Sequence, residues 1–247
     1  MFIARSSAIL FGLVTSAHLV LSAQERAVEV GFLGGINHNT MTGVGPVSAR
    51  VAGQAGLYGV FRFGHAVSFR PEMSVSWKRL GTSQAFPVEP QCEIGQCPLL
   101  RSNSSVALES TTSMTWLEVP LLAQVSLGTL GGGSIVPRFI AGPYVAIRLS
   151  CSVSTSGNIV FDTPAGIEPP GPMVMYSQSC GDATGQAYGN GDAGYVLGAG
   201  LGTHRLGVGI RWTRSLMATV SSSTFGISPL TGGKQSTLAL TVDIGIQ

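Results

Sequence analysis

The chain has 247 residues, of which 11% are charged and 44% apolar, with a formal net charge of +2. Soluble surfaces carry about a quarter or more of charged residues, so a water-exposed globule is disfavoured, and so small a charge without a basic cluster gives nucleic acid nothing to dock on. Beyond the first two dozen residues no apolar run approaches the roughly 20 that a membrane-spanning helix needs, whereas a chain rich in Gly, Ser, Thr and Val suits strands.

At the N-terminus, Arg5 precedes an apolar stretch over residues 8–21, and the small residues Ser22 and Ala23 follow before Gln24. This pattern predicts a secretory signal peptide over residues 1–23 and a mature domain over 24–247. An N-terminal anchor is the alternative, though the apolar stretch is short for one. No cysteine follows at a lipidation position. The four cysteines of the mature part fit an oxidising compartment, and their spacing favours Cys92 with Cys97 and Cys151 with Cys180, two other pairings being open. The C-x4-C of the first pair has no His or Cys neighbours to complete a metal site.

The mature chain then alternates apolar and polar residues in segment after segment. Strands are predicted over residues 28–36, 52–63, 67–77, 115–127, 137–149, 193–202, 206–213 and 238–247. In the last, Leu238, Leu240, Val242, Ile244 and Ile246 share one face, opposite Ala239, Thr241, Asp243, Gly245 and Gln247. Residues 206–213 place Leu206, Val208, Ile210 and Trp212 opposite Gly207, Gly209, Arg211 and Thr213. In the third, Val67, Phe69, Met73, Val75 and Trp77 oppose Ser68, Arg70, Glu72, Ser74, Ser76 and Lys78.

The connections alternate in length, short at 64–66, 128–136 and 203–205, long at 37–51, 80–114, 150–192 and 218–237. That is the arrangement of an outer-membrane barrel, whose long loops lie outside the cell. A soluble lipocalin-like barrel shares the alternation, but charge placement separates the two. The apolar faces carry no mid-strand charge, which against lipid would cost about 2–4 kcal/mol. The opposite faces, with few charges among Gly, Ser and Ala, are thin as a wet exterior and apt as the inside of a narrow barrel. Trp77, Tyr195 and Trp212 then fall near one interface and Phe61, Phe63, Phe69 and Phe139 near the other. The fold expected is all-β: an eight-stranded antiparallel up-and-down transmembrane barrel with long extracellular loops.

Leu117-Glu118-Val119-Pro120-Leu121-Leu122 resembles the L-E-x-P-L-L strand of the PorT-like outer-membrane β-barrel proteins. Gly142-Pro143-Tyr144 is similar to that family's G-P-Y strand, and Asp192-Ala193-Gly194 leading to Gly198-Ala199-Gly200 to its D-x-G-x-x-x-G-x-G segment. The resemblance covers nearly the whole mature chain, implies the same barrel in the outer membrane, and brings no catalytic residue or cofactor with it. One departure is the ending Ile246-Gln247, where barrel C-termini have an aromatic residue. Pro71, Pro120 and Pro143 fall inside strands, where each removes a ladder donor, and local bulges are expected to absorb them.

Motifs for chemistry are weak. The glycines of 198–202 lack the helix of a dinucleotide site. His18 lies in the signal, and His38, His65 and His204 lie in different loops, the first on the opposite side from the other two; a hydrolase built from His38 and loop acids is therefore a third reading. The constellation that stands out is a set of inward charges: Glu29, Glu72, Glu118 and Asp243 against Arg62, Arg70, Lys78, Arg138, Arg148 and Arg211. It predicts a salt-bridged plug, with Glu118 paired to Arg138 or another base of the set. A weakly anion-selective pore or a transport- or secretion-associated barrel is the alternative. The long loops, including Pro169-Pro170-Gly171-Pro172, point to surface interaction. The sequence thus leads to a non-enzymatic outer-membrane protein, exported through a cleaved signal, without cofactor or metal. Its expected partners are the outer-membrane lipids and a protein of the envelope or exterior.

Overall fold

The computed structural model describes residues 28–42, 47–64, 66–87, 105–129, 134–160, 162–163, 166–167, 174–180, 186–203, 205–217, 220–223 and 233–246. Among them are the eight long strands that alternation predicts: β1 (Val28–Thr42), β2 (Val47–Arg62), β3 (Val67–Pro87), β4 (Ser105–Ser126), β5 (Val136–Val160), β6 (Gly191–Gly202), β7 (Leu206–Ser215) and β8 (Lys234–Ile246). Each pairs antiparallel with its neighbours in chain order, and β8 pairs back onto β1, with Phe32 opposite Ile244 and Ile36 opposite Leu240. The ring of eight is therefore closed, so over its paired span it has no open edge of the kind a flat sheet leaves. Short pieces extend it at the loop end: Val174–Ser179 pairs with the far part of β5, and Gln186–Tyr188 pairs with Val220–Ser223.

The apolar faces point outward. Ile36, Val51, Ile147, Val145 and Ile210 are each more than half exposed, and Leu238, Val208, Ile244, Phe139 and Met73 are close to that. A soluble monomer rarely shows an apolar patch beyond a few hundred Å², so a continuous belt of this kind faces hydrocarbon, not water. Inside, by contrast, lie Asn37, Asn39, Ser68, Arg70, Glu72, Ser74, Ser76, Lys78, Glu118, Gln124 and Arg211, all buried. The lipocalin-like alternative, apolar inside and polar outside, is thereby reversed. The aromatic residues sit as expected at the belt's two margins, with Tyr195 edge-on to Trp212 at 5.6 Å on one and Phe61 beside Phe69 at 6.3 Å on the other.

Three expectations need correction. First, the long connections are shorter than the sequence indicated: β1 and β2 are joined by residues 43–46 alone, and β3, β4 and β5 run 21, 22 and 25 residues. Strand pairing needs backbone partners, not apolar side chains, so Ser110–Ser113 stays in register with Ser152–Thr155 where alternation has faded. Second, the prolines do not sit in bulges. Pro71 faces Leu121 and Ser74 faces Glu118 with equal residue counts between, so the ladder is interrupted there without an insertion. The register shifts lie elsewhere, between Ala49 and Gln54 on β2 and beside Leu149 on β5. Third, His38 belongs to β1 and is exposed on its outer side, not in a loop. His65, His204, Cys92, Cys97 and the predicted signal segment lie outside the described residues.

The interior packs in two apolar groups. Toward the turn end Leu33, Tyr58 and Val60 cluster; toward the loop end Met41, Leu80, Met114, Trp116, Leu122, Tyr144, Val153 and Val196 do so. Large rings need room in a narrow barrel. A Cβ at Gly31 would lie 2.5 Å from the Tyr58 ring, and one at Gly194 2.7 Å from the Tyr144 ring, which is why these inward positions are glycine.

Candidate functional site: charged layers across the lumen

Even-numbered residues of β3 point inward, so Arg70, Glu72, Ser74, Ser76 and Lys78 form one polar rib. From its lower half, Arg70 Nε donates to Glu72 Oε1 at 2.6 Å, and its Nη1 reaches Asp243 Oδ2 on β8 at 2.9 Å. Arg211 of β7 donates through Nη2 to Glu72 Oε1 at 2.9 Å and lies 3.8 Å from Asp243 Oδ1. β3 is three strands away from β8 around the ring, so these bonds cross the lumen and tie its opposite walls. The Tyr58 ring lies 4.1 Å from the Arg70 guanidinium carbon, and Gln124 of β4 accepts from Arg70 Nη1 at 3.5 Å. Two bases and two acids neutralise each other in one layer. Charges this buried are tolerated only when paired and hydrogen-bonded.

A second layer lies toward the loop end. Lys78 Nζ is 2.7 Å from Glu118 Oε1, Ser76 Oγ donates to the same oxygen at 2.8 Å, and the ammonium sits 5.5 Å from the Trp116 ring centroid. A third layer joins Tyr144, whose hydroxyl donates to Asp192 Oδ2 at 2.7 Å, and Ser215, whose hydroxyl donates to Asp192 Oδ1 at 2.5 Å. Between β1 and β8, Asn39 Nδ2 donates to Asn37 Oδ1 at 2.9 Å and Thr237 Oγ1 to Asn39 Oδ1 at 3.0 Å.

Of the ten charges singled out from sequence, Arg70, Glu72, Arg211 and Asp243 meet in one network and Lys78 and Glu118 in another. The partner of Glu118 is thus Lys78, and Arg138 lies at the turn end, donating to the Thr203 carbonyl oxygen. Glu29 pairs with Arg62 at 2.7 Å on the barrel rim, where Arg62 is half exposed. Arg148 Nη2 donates to Asn190 Oδ1 at 2.5 Å near the loop end. Tyr58, Tyr144, Asp192 and Ser215 were missed as partners. Asp192 shares the inward parity of Val196 but precedes the first residue of the apolar alternation, so the sequence alone reads it as loop. The Cys151–Cys180 pairing is present as a disulfide, linking the loop-end part of β5 to the residue after Val174–Ser179.

A closed antiparallel ring with lipid-facing apolar residues outside and neutralised charge layers inside defines a small transmembrane β-barrel of the outer-membrane type. Residues 22–221 match the family model described as outer membrane protein beta-barrel domain, and the chain belongs to that family. The family places the protein in the bacterial outer membrane. Among solved structures, Neisserial surface protein A is similar over 88% of this chain and 96% of its own, with 8% identity and a TM-score of 0.37. The attachment invasion locus protein Ail of Yersinia pestis, crystallised with the heparin analogue sucrose octasulfate, is similar over 89% and 99%, with 10% identity and a TM-score of 0.34. The outer membrane enzyme PagL is similar over 89% and 100%, with 15% identity and a TM-score of 0.30. No curated protein sequence matches the chain significantly.

Proposed function

We propose that the protein is a structural or surface-interaction barrel, closed at rest, whose lumen is filled by its own ion pairs while the loop end faces outside the cell. The observation that carries this reading is the Arg70–Glu72–Arg211–Asp243 layer, which spans the lumen from β3 to β7 and β8 with every charge opposed. An open pore needs a hydrated path, and the side chains bonded across the lumen at this layer support a closed one. The PorT-like resemblance and the cleaved leader over residues 1–23 belong to the same proposal, as does the absence of catalysis. Ser215 donates its proton directly to a carboxylate, with no imidazole between them, and His38 is exposed on the outer side of β1. Neither arrangement makes an activated nucleophile of the Ser-His-Asp kind. The partner proposed is an envelope or extracellular protein engaged by the long connections.

A gated pore is the second reading. It is favoured by a polar vestibule at the turn end, lined by Glu29, Arg62, Ser68, Gln124 and Arg138, the last two of which also line a smaller cavity that reaches Arg70, Arg211 and Asp243. Conductance of the refolded protein in planar bilayers separates the two. The closed reading expects a bare-membrane baseline; sustained, salt-dependent channel events overturn it in favour of the pore.

A further inference from the structure

The charges on the outside of the barrel are segregated by sign and by sector. Arg79 on β3, Arg214 on β7 and Lys234 on β8 alternate out of phase with the lumen residues and project from the outer face, and Arg50, at the register shift of β2 between Ala49 and Gln54, carries its guanidinium to the outer side of Gly81. They occupy four of the five consecutive strands β7-β8-β1-β2-β3, and the strand between them, β1, contributes His38. Each stands at the loop-end margin of the apolar belt: Arg79 two residues beyond Trp77, Arg214 two beyond Trp212, Arg50 next to Val51, and Lys234 four before Leu238. On the remaining strands the residues in register with these bases, Ser113 and Ser152 beyond Arg79 and Tyr195 beside Arg214, are uncharged. Among the described residues none of the four bases pairs with a carboxylate. Glu109, an acid on the outer face of β4, faces Ser83, whereas Arg79 faces Ser113. It therefore stands about 13 Å further out, at roughly 3.3 Å per residue.

The arc is also shaped. The Arg50 guanidinium lies across Gly81 of β3, where an added Cβ would come within 3.0 Å of its Nε, so two guanidinium groups share the β2–β3 margin without an acid between them. Below them an apolar groove runs along the lipid face, lined by the side chains of Ile36, Val51, Ile210, Leu238 and Leu240, with His38 at its upper end. Trp212 Nε1 donates to Ser236 Oγ at 2.8 Å, fixing the indole at the groove's margin. Clustered guanidinium and ammonium groups at a headgroup level attract phosphate, which guanidinium binds in a two-pronged way. A groove beneath them in the hydrocarbon accepts an acyl chain.

We propose that this sector binds one phosphate-bearing glycolipid of the outer leaflet, its phosphates on Arg50, Arg79, Arg214 and Lys234 and an acyl chain in the groove under His38. The proposal goes beyond the closed-barrel reading and depends only on the loop end facing outward. It is independent of whether the lumen conducts.

Native mass spectrometry of the full mature protein in zwitterionic detergent tests it, with bis-phosphorylated lipid A, its dephosphorylated counterpart and phosphatidylglycerol as probes. The expected result is retention of bis-phosphorylated lipid A at least tenfold more tightly than either other lipid, falling by tenfold or more in the variant carrying Arg50→Gln, Arg79→Gln, Arg214→Gln and Lys234→Gln. Gel mobility before and after boiling shows that the variant is folded; should it not be, the Arg50→Gln/Arg79→Gln pair is read instead and is expected to lose at least threefold. Equal binding of the dephosphorylated lipid, equal binding of phosphatidylglycerol, or unchanged affinity in the folded variant overturns the proposal. A phosphatidylglycerol preference together with inverted loop labelling would trace the failure to the topology.

Discussion

Lys78 reaches Glu118 diagonally: the lysine faces Met114 in the β3–β4 ladder and the glutamate faces Ser74, four residues away along the strand, yet Nζ and Oε1 are 2.7 Å apart. The aliphatic stem spans the gap beside Trp116, and Ser76, facing that Trp, completes the pair with its hydroxyl.

Glu118→Ala strands a lysine that is 2% exposed. The cost expected for breaking a buried pair is about 3–5 kcal/mol, whereas Lys78→Met with Glu118→Leu removes both charges and should melt near the parent. Denaturant midpoints of the refolded barrel check this. A Glu118→Ala midpoint equal to the parent's would show that water reaches Lys78 and carries its charge.

Glu72 is the acid shared by Arg70 and Arg211. Glu72→Ala leaves two guanidinium groups facing each other with Asp243 alone, so the layer should loosen and anion-selective conductance should appear in planar bilayers where the parent shows none. Silence from a folded Glu72→Ala barrel would mean that the outer layers also seal the lumen.

Closed barrels resist detergent, so unheated protein should migrate differently from boiled protein on gels and should fractionate with outer membranes. Cysteines introduced at Asn190 and Gly128 test orientation. The first, at the loop end, should react with impermeant reagents on intact cells and the second should not; the opposite pattern would invert the topology.

Cys151 and Cys180 close a loop with a sequence separation of 29. On the chain-entropy model, opening it should cost about 3–4 kcal/mol, read as a lower unfolding midpoint in Cys151→Ser/Cys180→Ser. Non-reducing peptide mapping should recover this pair, and Cys92 joined to Cys97.

Gly31→Val places a side chain where 2.5 Å separates the new Cβ from the Tyr58 ring. Overpacking costs about 1–3 kcal/mol, and here it should also displace the ring from Arg70. A double variant with Tyr58→Ala should recover part of the loss.

Period-two alternation was enough to read the eight strands and their order, and the placement of charges on one face of each was needed to read which face meets lipid, because in a narrow barrel every residue is either inside or outside and the two surroundings demand opposite chemistry. That same parity sent all ten chosen charges inward. It could not say how far the strands run past the membrane, since Ser110–Ser113 and Ser152–Thr155 pair through backbone groups that all residues share. Nor could it say who meets whom. Partnership across a lumen depends on stagger between strands and on side-chain reach, so Glu118 meets Lys78 four residues off register and Arg70 meets Asp243 from three strands away. The unpaired outward bases also emerged only in three dimensions. Arg50, Arg79, Arg214 and Lys234 are scattered through the sequence, and closure of the ring between β8 and β1 is what sets them side by side.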